Sequence, residues 1–345
     1  MATAIDSNIS KVSNVTNLEN DFYNEITNDD FYDGVDYLLE NIKREYQDIY
    51  RNKYQINKKL KDISNNEMVF YLDEQYVKNS IGEQKSLNVI SHVARSIANT
   101  LPDDSYPTDS LSDLFDDIKQ SIVAGKNDYL DVLKDIFSKY MEYVKELREI
   151  LSELSKATSA GNKDGYISVD VDDLINKLIA LKTKVDRPGF FSIWMYFIKD
   201  DDGRYYRIIN GEKVYYPDNF DADNAVKAVE KLLDQIKGVT SKKEDNSDSV
   251  RPDLSFLFNV SLDLSGLDKL IDYLSKMPTG KHDILQTEFD LLKKTLDAIE
   301  KGLNTNLDEL SKKYSSANSN YDNFVKIVSS TMNTLLEMAK GFLRF

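Results

Sequence analysis

The chain has 345 residues, with 44 basic and 59 acidic side chains, two histidines and no cysteine, a length that predicts about two domains. The lack of cysteine excludes disulfides, thiolate nucleophiles and zinc-thiolate or iron–sulfur sites, and a formal charge of -15 repels phosphate backbones and anionic lipid, so nucleic acid is not an expected partner. With 41% hydrophobic residues, 13 Gly and 6 Pro, most of the chain has the composition of a soluble folded protein rather than a disordered one.

The first twenty residues are polar, rich in Ser, Thr and Asn, and lack the apolar core and cleavage site of a Sec signal peptide. The longest apolar run, residues 190–198, is about half of what a membrane span needs, so no transmembrane segment is predicted. After the leader, Val35, Leu38, Ile42, Tyr46, Ile49, Ile56, Leu60 and Ile63 recur in steps of three and four, interrupted only by Lys53, and share one helix face. Asn65 and Asn66 break that pattern, and a weaker helical stretch over 67–99 predicts an antiparallel helical hairpin. Pro102 and Pro107 close it, because each pushes the preceding residue out of the helical region.

Two long seams follow. Phe115, Ile118, Ile122, Tyr129, Val132, Ile136, Tyr140, Tyr143, Leu147, Ile150 and Leu154 keep coiled-coil spacing, broken only by Gly125. Near the other end, Phe289, Leu292, Leu296, Ile299, Leu303, Leu307, Leu310, Tyr314, Ala317, Tyr321, Phe324, Val328, Thr331, Leu335, Met338 and Phe342 do the same over roughly 80 Å, at about 1.5 Å per residue. A helix that long needs a partner along its stripe, which predicts an elongated antiparallel rod. Each seam has one place where two four-residue steps adjoin, Val132-Ile136-Tyr140 and Ile299-Leu303-Leu307, and paired helices should change pitch at the same level.

Between the seams, 161–283 reads as a mixed α/β domain. Strand-like 166–171 leads into a helix over 174–184 with Asp172 as its N-cap, and 256–264 leads into a helix over 267–276 with Ser265 as cap. Their similar sequences predict two equivalent units in one sheet. Tyr205 to Ile209, Asn210-Gly211 and Glu212 to Tyr216 predict a type I′ hairpin. A helix is expected over 222–237, and the polar stretch 239–253 reads as a mobile loop. The run FFSIWMYFI at 190–198 reads as a buried strand or pair of short elements, in which case Trp194→Ser should unfold this domain; an exposed apolar contact surface is the alternative.

Chemistry-bearing motifs are few. Neither Asp164-Gly165 nor Asp202-Gly203 sits in an EF-hand loop, since the first and twelfth positions are apolar, and both read as turns. His92 and His282 lack any metal-ligand or triad spacing. No phosphate loop, nucleophile elbow or kinase signature is present, so no catalytic, cofactor or metal residues are assigned and an enzyme is not expected. By contrast, the last helical seam carries many short polar residues, among them Ser315, Ser316, Asn318, Ser319, Asn320, Asn323, Ser329 and Ser330. These are mediocre helix formers over so long a stretch, and they permit close approach by another helix.

That stretch, Lys313-Tyr314-Ser315-Ser316-Ala317-Asn318-Ser319-Asn320-Tyr321-Asp322-Asn323-Phe324-Val325-Lys326-Ile327-Val328-Ser329-Ser330-Thr331, resembles the C-terminal signature of the type III secretion needle-tip proteins, the IpaD, SipD and BipD family. Weaker similarity runs through 114–184 and 260–277. The resemblance implies a mainly α, elongated fold: a long antiparallel central coiled coil with an N-terminal helical hairpin acting as self-chaperone and an inserted mixed α/β domain. On that plan residues 1–28 are an uncleaved secretion-signal leader, 29–101 the hairpin, 110–160 and 284–345 the coiled-coil helices, and 161–283 the inserted domain.

The resemblance further implies a non-enzymatic protein exported by the type III route from a cytoplasmic pool to the needle tip. It would self-associate there, contact needle filament subunits and translocators, control secretion, and serve as a platform at the host membrane. The assembly interface carried over comprises Tyr314, Asn318, Tyr321, Asp322, Asn323, Lys326, Ser329 and Ser330, and the coiled-coil seam Phe115, Ile122, Tyr129, Ile136, Tyr143, Leu303, Leu310, Phe324 and Val328. A bile-salt ligand follows from the resemblance alone. The region 193–216 departs from the enteric members. A secreted coiled-coil effector or chaperone that binds a partner helix is the alternative reading.

Overall fold

The computed structural model describes residues 28–50, 65–98, 108–186, 192–245 and 254–342. Sequence readings that fall on the leader, on Ile56, Leu60 and Ile63, on Pro102 and Pro107, on Phe190 or on 246–253 lie outside those residues. The fold is mainly helical, with a long C-terminal helix and a small mixed sheet region.

Two N-terminal helices, α1 (Asn28–Tyr50) and α2 (Asn65–Ala98), precede the first shaft helix, which consists of α3 (Thr108–Ala124), a π turn (Gly125–Leu130) and α4 (Asp131–Ser152). Strands β1 (Thr158–Ala160) and β2 (Tyr166–Val169), helix α5 (Asp172–Val185), β3 (Ser192–Lys199), β4 (Tyr205–Ile209), β5 (Glu212–Tyr215), α6 (Ala222–Leu233), β6 (Val239–Asp245), β7 (Leu254–Leu262), α7 (Ser265–Leu274) and β8 (His282–Leu285) follow. The chain then enters α8 (Gln286–Phe342), whose 57 residues rise roughly 85 Å at about 1.5 Å each.

The shaft is antiparallel. As the first helix advances, its partner recedes: Tyr321 Oη donates to the carbonyl of Ile122 at 3.1 Å, Phe137 packs on Tyr314 with ring centroids 5.7 Å apart, and Arg148 reaches Glu300 at 3.2 Å and Asn304. Phe115, Ile122, Tyr129, Ile136, Tyr143, Leu310, Phe324 and Val328 are all buried, and Leu303 is half-buried against the same core. The two irregular steps are not level, however. Ile136 lies opposite the Tyr314 region, while Leu303 lies near the level of Arg148, roughly 18 Å along the axis. The irregularity of the first helix sits instead in the π turn, where one extra residue is accommodated at Gly125.

Middle-domain strands form two antiparallel sheets, β1-β2-β8 and β5-β4-β3-β7-β6. The two strand-helix units of similar sequence therefore belong to different sheets, β2 to the first and β7 to the second, and it is their helices that meet, through Lys182 and Asp268 at 2.5 Å. The assigned caps are also displaced. Asp172 and Ser265 are the first helical residues, and the carboxylate two positions earlier in each case, Asp170 or Asp263, accepts the backbone N–H. Asp172 instead accepts from Gly280 N at 2.9 Å.

The β4–β5 hairpin has the turn its sequence predicts, with Asn210 at φ 52° and Gly211 at φ 85° and Ile209 paired with Glu212. Residues 239–245, read as part of a mobile loop, form the edge strand β6 along the whole of 256–262; Val239 and Ser241 are half-buried while Thr240 and Lys242 are exposed, as in a strand with one solvated face. Strand β3 is central and two-sided. Met195 and Phe197 are buried, whereas Trp194 and Tyr196 are 44% and 51% exposed and lie nearly parallel, centroids 5.8 Å apart. A wholly buried strand is thus ruled out, because period-two alternation sends the tryptophan to the open face.

Candidate functional site

Helix α2 lies along the C-terminal half of α8 and meets the residues carried over as an assembly interface. Asn79 is buried and donates to Asn318 Oδ1 at 2.8 Å and to the Asn318 carbonyl at 3.0 Å, while Asn318 Nδ2 donates to the Tyr314 carbonyl at 3.1 Å. One turn on, the side of Gly82 faces Val325, where the absence of a side chain lets the helices approach. Ser86 and Ser329 meet at 2.9 Å between their hydroxyl oxygens. At the rim Lys78 lies 3.4 Å from Asp322, which also pairs with Lys326 at 2.6 Å; the lysines are largely exposed, so these pairs contribute little.

The predicted interface residues therefore divide by face. Tyr314, Asn318 and Tyr321 are buried inside the chain's own packing, Ser329 is half-buried under α2, and Asp322 stands at the rim. Asn323, Lys326 and Ser330 recur on the opposite, exposed face of α8. Helix α1 completes the cover: Tyr46 packs on Phe324, centroids 5.6 Å apart, and Ile49 closes over the π turn. A Cβ on Gly125 would stand 3.2 Å from Ile49 and 3.3 Å from the Tyr321 ring, so the glycine in the seam is where three helices converge.

An ionic cluster, missed in the sequence, lies beside this contact. Lys126, in the π turn, is nearly buried and reaches Tyr76 Oη at 3.2 Å, Asp131 at 3.3 Å and Glu83 at 3.8 Å; Lys134 caps the Tyr76 ring. Burial would lower the Lys126 pKa, but Asp131 and Glu83 outweigh it and raise it above the usual range. Burial pushes Glu83 up, with Lys126 offsetting part of the shift. Two residues along, Asp128 pairs with Arg207 of β4 at 2.8 Å, and burial pushes that carboxyl up against the pull of the guanidinium. The only hint in the sequence is Gly125 itself, which interrupts the seam.

Between α2 and the β4–β5 turn lies a cleft of about 470 Å³ whose walls include Leu87, His92, Arg95, Lys119, Ile209 and Val214. Among the described residues no group of His, Asp and Glu could hold a metal ion, and no helix is long and apolar enough to cross a membrane.

The chain is thus a long antiparallel two-helix shaft whose polar C-terminal motif is covered on one face by its own N-terminal helices. A model of the type III secretion systems tip complex components matches residues 51–343, and the chain belongs to that family. It is 26% identical over 243 residues to the cell invasion protein SipD of Salmonella typhi, an alignment covering 70% of this chain and 64% of SipD. It is 24% identical over 237 residues to the invasin IpaD of Shigella flexneri, covering 68% and 60%. The matched stretch thus spans less than two thirds of these relatives. Among solved structures, BipD of Burkholderia pseudomallei aligns over 90% of this chain and 99% of its own, at 14% identity and a TM-score of 0.44. The family consists of structural tip components, not enzymes.

Proposed function

We propose that the chain is exported by a type III secretion system and caps its needle, restraining secretion until host contact and then offering a platform for translocators. The hairpin α1–α2 acts as an internal sheath that keeps the C-terminal motif from self-association before assembly. The observation that carries this reading is the Asn79–Asn318 and Ser86–Ser329 contact: α2 occupies the face of α8 that bears half of the assembly motif. Asn323, Lys326 and Ser330 stay open for a first encounter with needle subunits. The cleft beside Arg95 and Lys119 is where we would place an amphipathic anion such as a bile salt, its charge toward the cations and its apolar body on Leu87 and Ile209.

Because the chain has no native cysteine, Ser86→Cys/Ser329→Cys is a clean lock for the sheath. Purified protein added to needles from a strain lacking the gene should restore density at the needle end. The oxidised double variant should do so only after reduction. Bare needle ends with the wild-type protein would refute capping, and equal capping by the oxidised variant would refute the sheath.

A further inference from the structure

The π turn at Gly125–Leu130 carries a buried Lys126 and a largely shielded Asp128 that point to opposite neighbours. Lys126 holds α2 of the sheath through Tyr76 and Glu83, and Asp128 holds β4 of the inserted domain through Arg207. The side chains of Asp128 and Arg207 are less than one fifth exposed, so breaking their pair leaves an uncompensated buried charge. Asp131 closes the turn: its carboxylate meets Lys126 five residues earlier at 3.3 Å, the separation that i→i+5 winding brings together. Reverting the turn to i→i+4 winding would rotate Lys126 and Asp128 away from their partners together, and such a turn inside a helix is often a functional feature.

We propose that this π turn couples the inserted domain to the sheath: displacement of β4 that breaks Arg207–Asp128 unwinds the turn and releases Lys126 from α2, so a load on the five-stranded sheet opens the hairpin. On the same side of the sheet, Gln120 donates to the Val214 carbonyl at 2.6 Å, the Tyr215 N–H donates to Asp116 at 3.3 Å and Arg204 reaches Asp113 at 3.5 Å. All three ties are to α3, before the turn, so a shift of β4 against α3 is also felt at Asp128. In this proposal the turn is the switching element, with i→i+5 winding in the closed state and i→i+4 winding in the open one. The inference rests on the reading of α1–α2 as a releasable sheath, but its test reads the monomer without needles, so its failure leaves capping untouched.

Hydrogen exchange of the full chain decides it. In Arg207→Gln, α2 amides over 76–86 should exchange at least tenfold faster than in the wild type, with α5 and α7 unchanged. In a Lys126→Gln background, where the link is already cut, the same substitution should add less than twofold. Phe197→Leu, which weakens the same sheet without touching the pair, should leave α2 at its wild-type rate. Asp128→Asn serves in place of Arg207→Gln if the latter does not fold. Unchanged α2 exchange when the pair is broken, a full tenfold effect in the Lys126→Gln background, or equal loss of protection in Phe197→Leu would each overturn the coupling.

Discussion

Asn79 and Asn318, 239 residues apart in the chain, share a buried side-chain hydrogen bond of 2.8 Å at the centre of the α2–α8 contact. A polar pair there adds little net stability but penalises misalignment, since a slip of either helix leaves an amide buried without a partner. On the proposed role of α1–α2 as a releasable sheath, such a pair sets the register without adding much to the strength of the contact.

Asn79→Ala should therefore destabilise the α2–α8 contact by about 1–3 kcal/mol, the cost of leaving the buried Asn318 Oδ1 without its donor. Exchange of α2 amides should rise roughly tenfold for each 1.4 kcal/mol. Asn79→Leu/Asn318→Leu should recover most of the loss, because replacing both partners removes the unsatisfied group. If the double variant is as labile as the single one, packing rather than hydrogen bonding holds the register.

Much of this arrangement is legible in the sequence. The two seams place Ile122, Ile136, Tyr143, Leu310, Phe324 and Val328 in one core because steps of three and four residues leave a helix no other face to bury. The Asn210-Gly211 turn is equally readable, as few sequences tolerate its backbone. Long-range partners are not. Asn79 and Lys126 lie on helices whose own periodicity does not call for a buried polar group, and only the meeting of three helices gives them partners. Sheet membership of β2 and β7 and the edge pairing of β6 are likewise tertiary choices that local pattern leaves open.

The tryptophan gives a direct contrast. Trp194→Ser should leave the fold intact, with a change in stability within about 1 kcal/mol, since the side chain is 44% exposed and stands on the open face of β3. Phe197→Ala, two strand positions plus one away and 1% exposed among Tyr216, Phe220 and Phe256, should cost about 3–5 kcal/mol. Thermal melts of the two variants check this, and equal losses would mean that the open face is covered in solution.

Acid should stabilise the first shaft helix at one site. Burial raises the Asp117 carboxyl to about 6, with Asp113 adding to the shift and Lys43 of α1 opposing it. Its unfolded value is near 3.9, so the folded chain binds more protons between these values and stability falls as pH rises through that window. Lowering the pH from 7 to 5 should therefore favour the native state at this site. Asp117→Asn should remove that dependence and stabilise the protein at pH 7 by about 1 kcal/mol, a figure kept small because the group is only partly shielded from water. Denaturant titrations of both proteins at pH 5 and 7 test the sign, and a stabilising effect confined to pH 5 would contradict it.

Gly238 fixes the five-stranded sheet to the shaft, and here conformation and space act together. Its φ is +75°, and a Cβ would fall 2.5 Å from Asn306 Nδ2 and 3.4 Å from Tyr140 Oη. Gly238→Ala should cost about 1–2 kcal/mol for the left-handed backbone and about 1–3 kcal/mol more for overpacking. Gly211→Ala has a similar φ of +85° but nothing within 4 Å, so only the first cost applies. Chemical denaturation should rank the two variants in that order, with exchange in the Gly238 variant rising at the amides of 239–241 and around Asn306. Equal losses would show that Asn306 swings aside without cost and that the sheet is held to the shaft by its other ties alone.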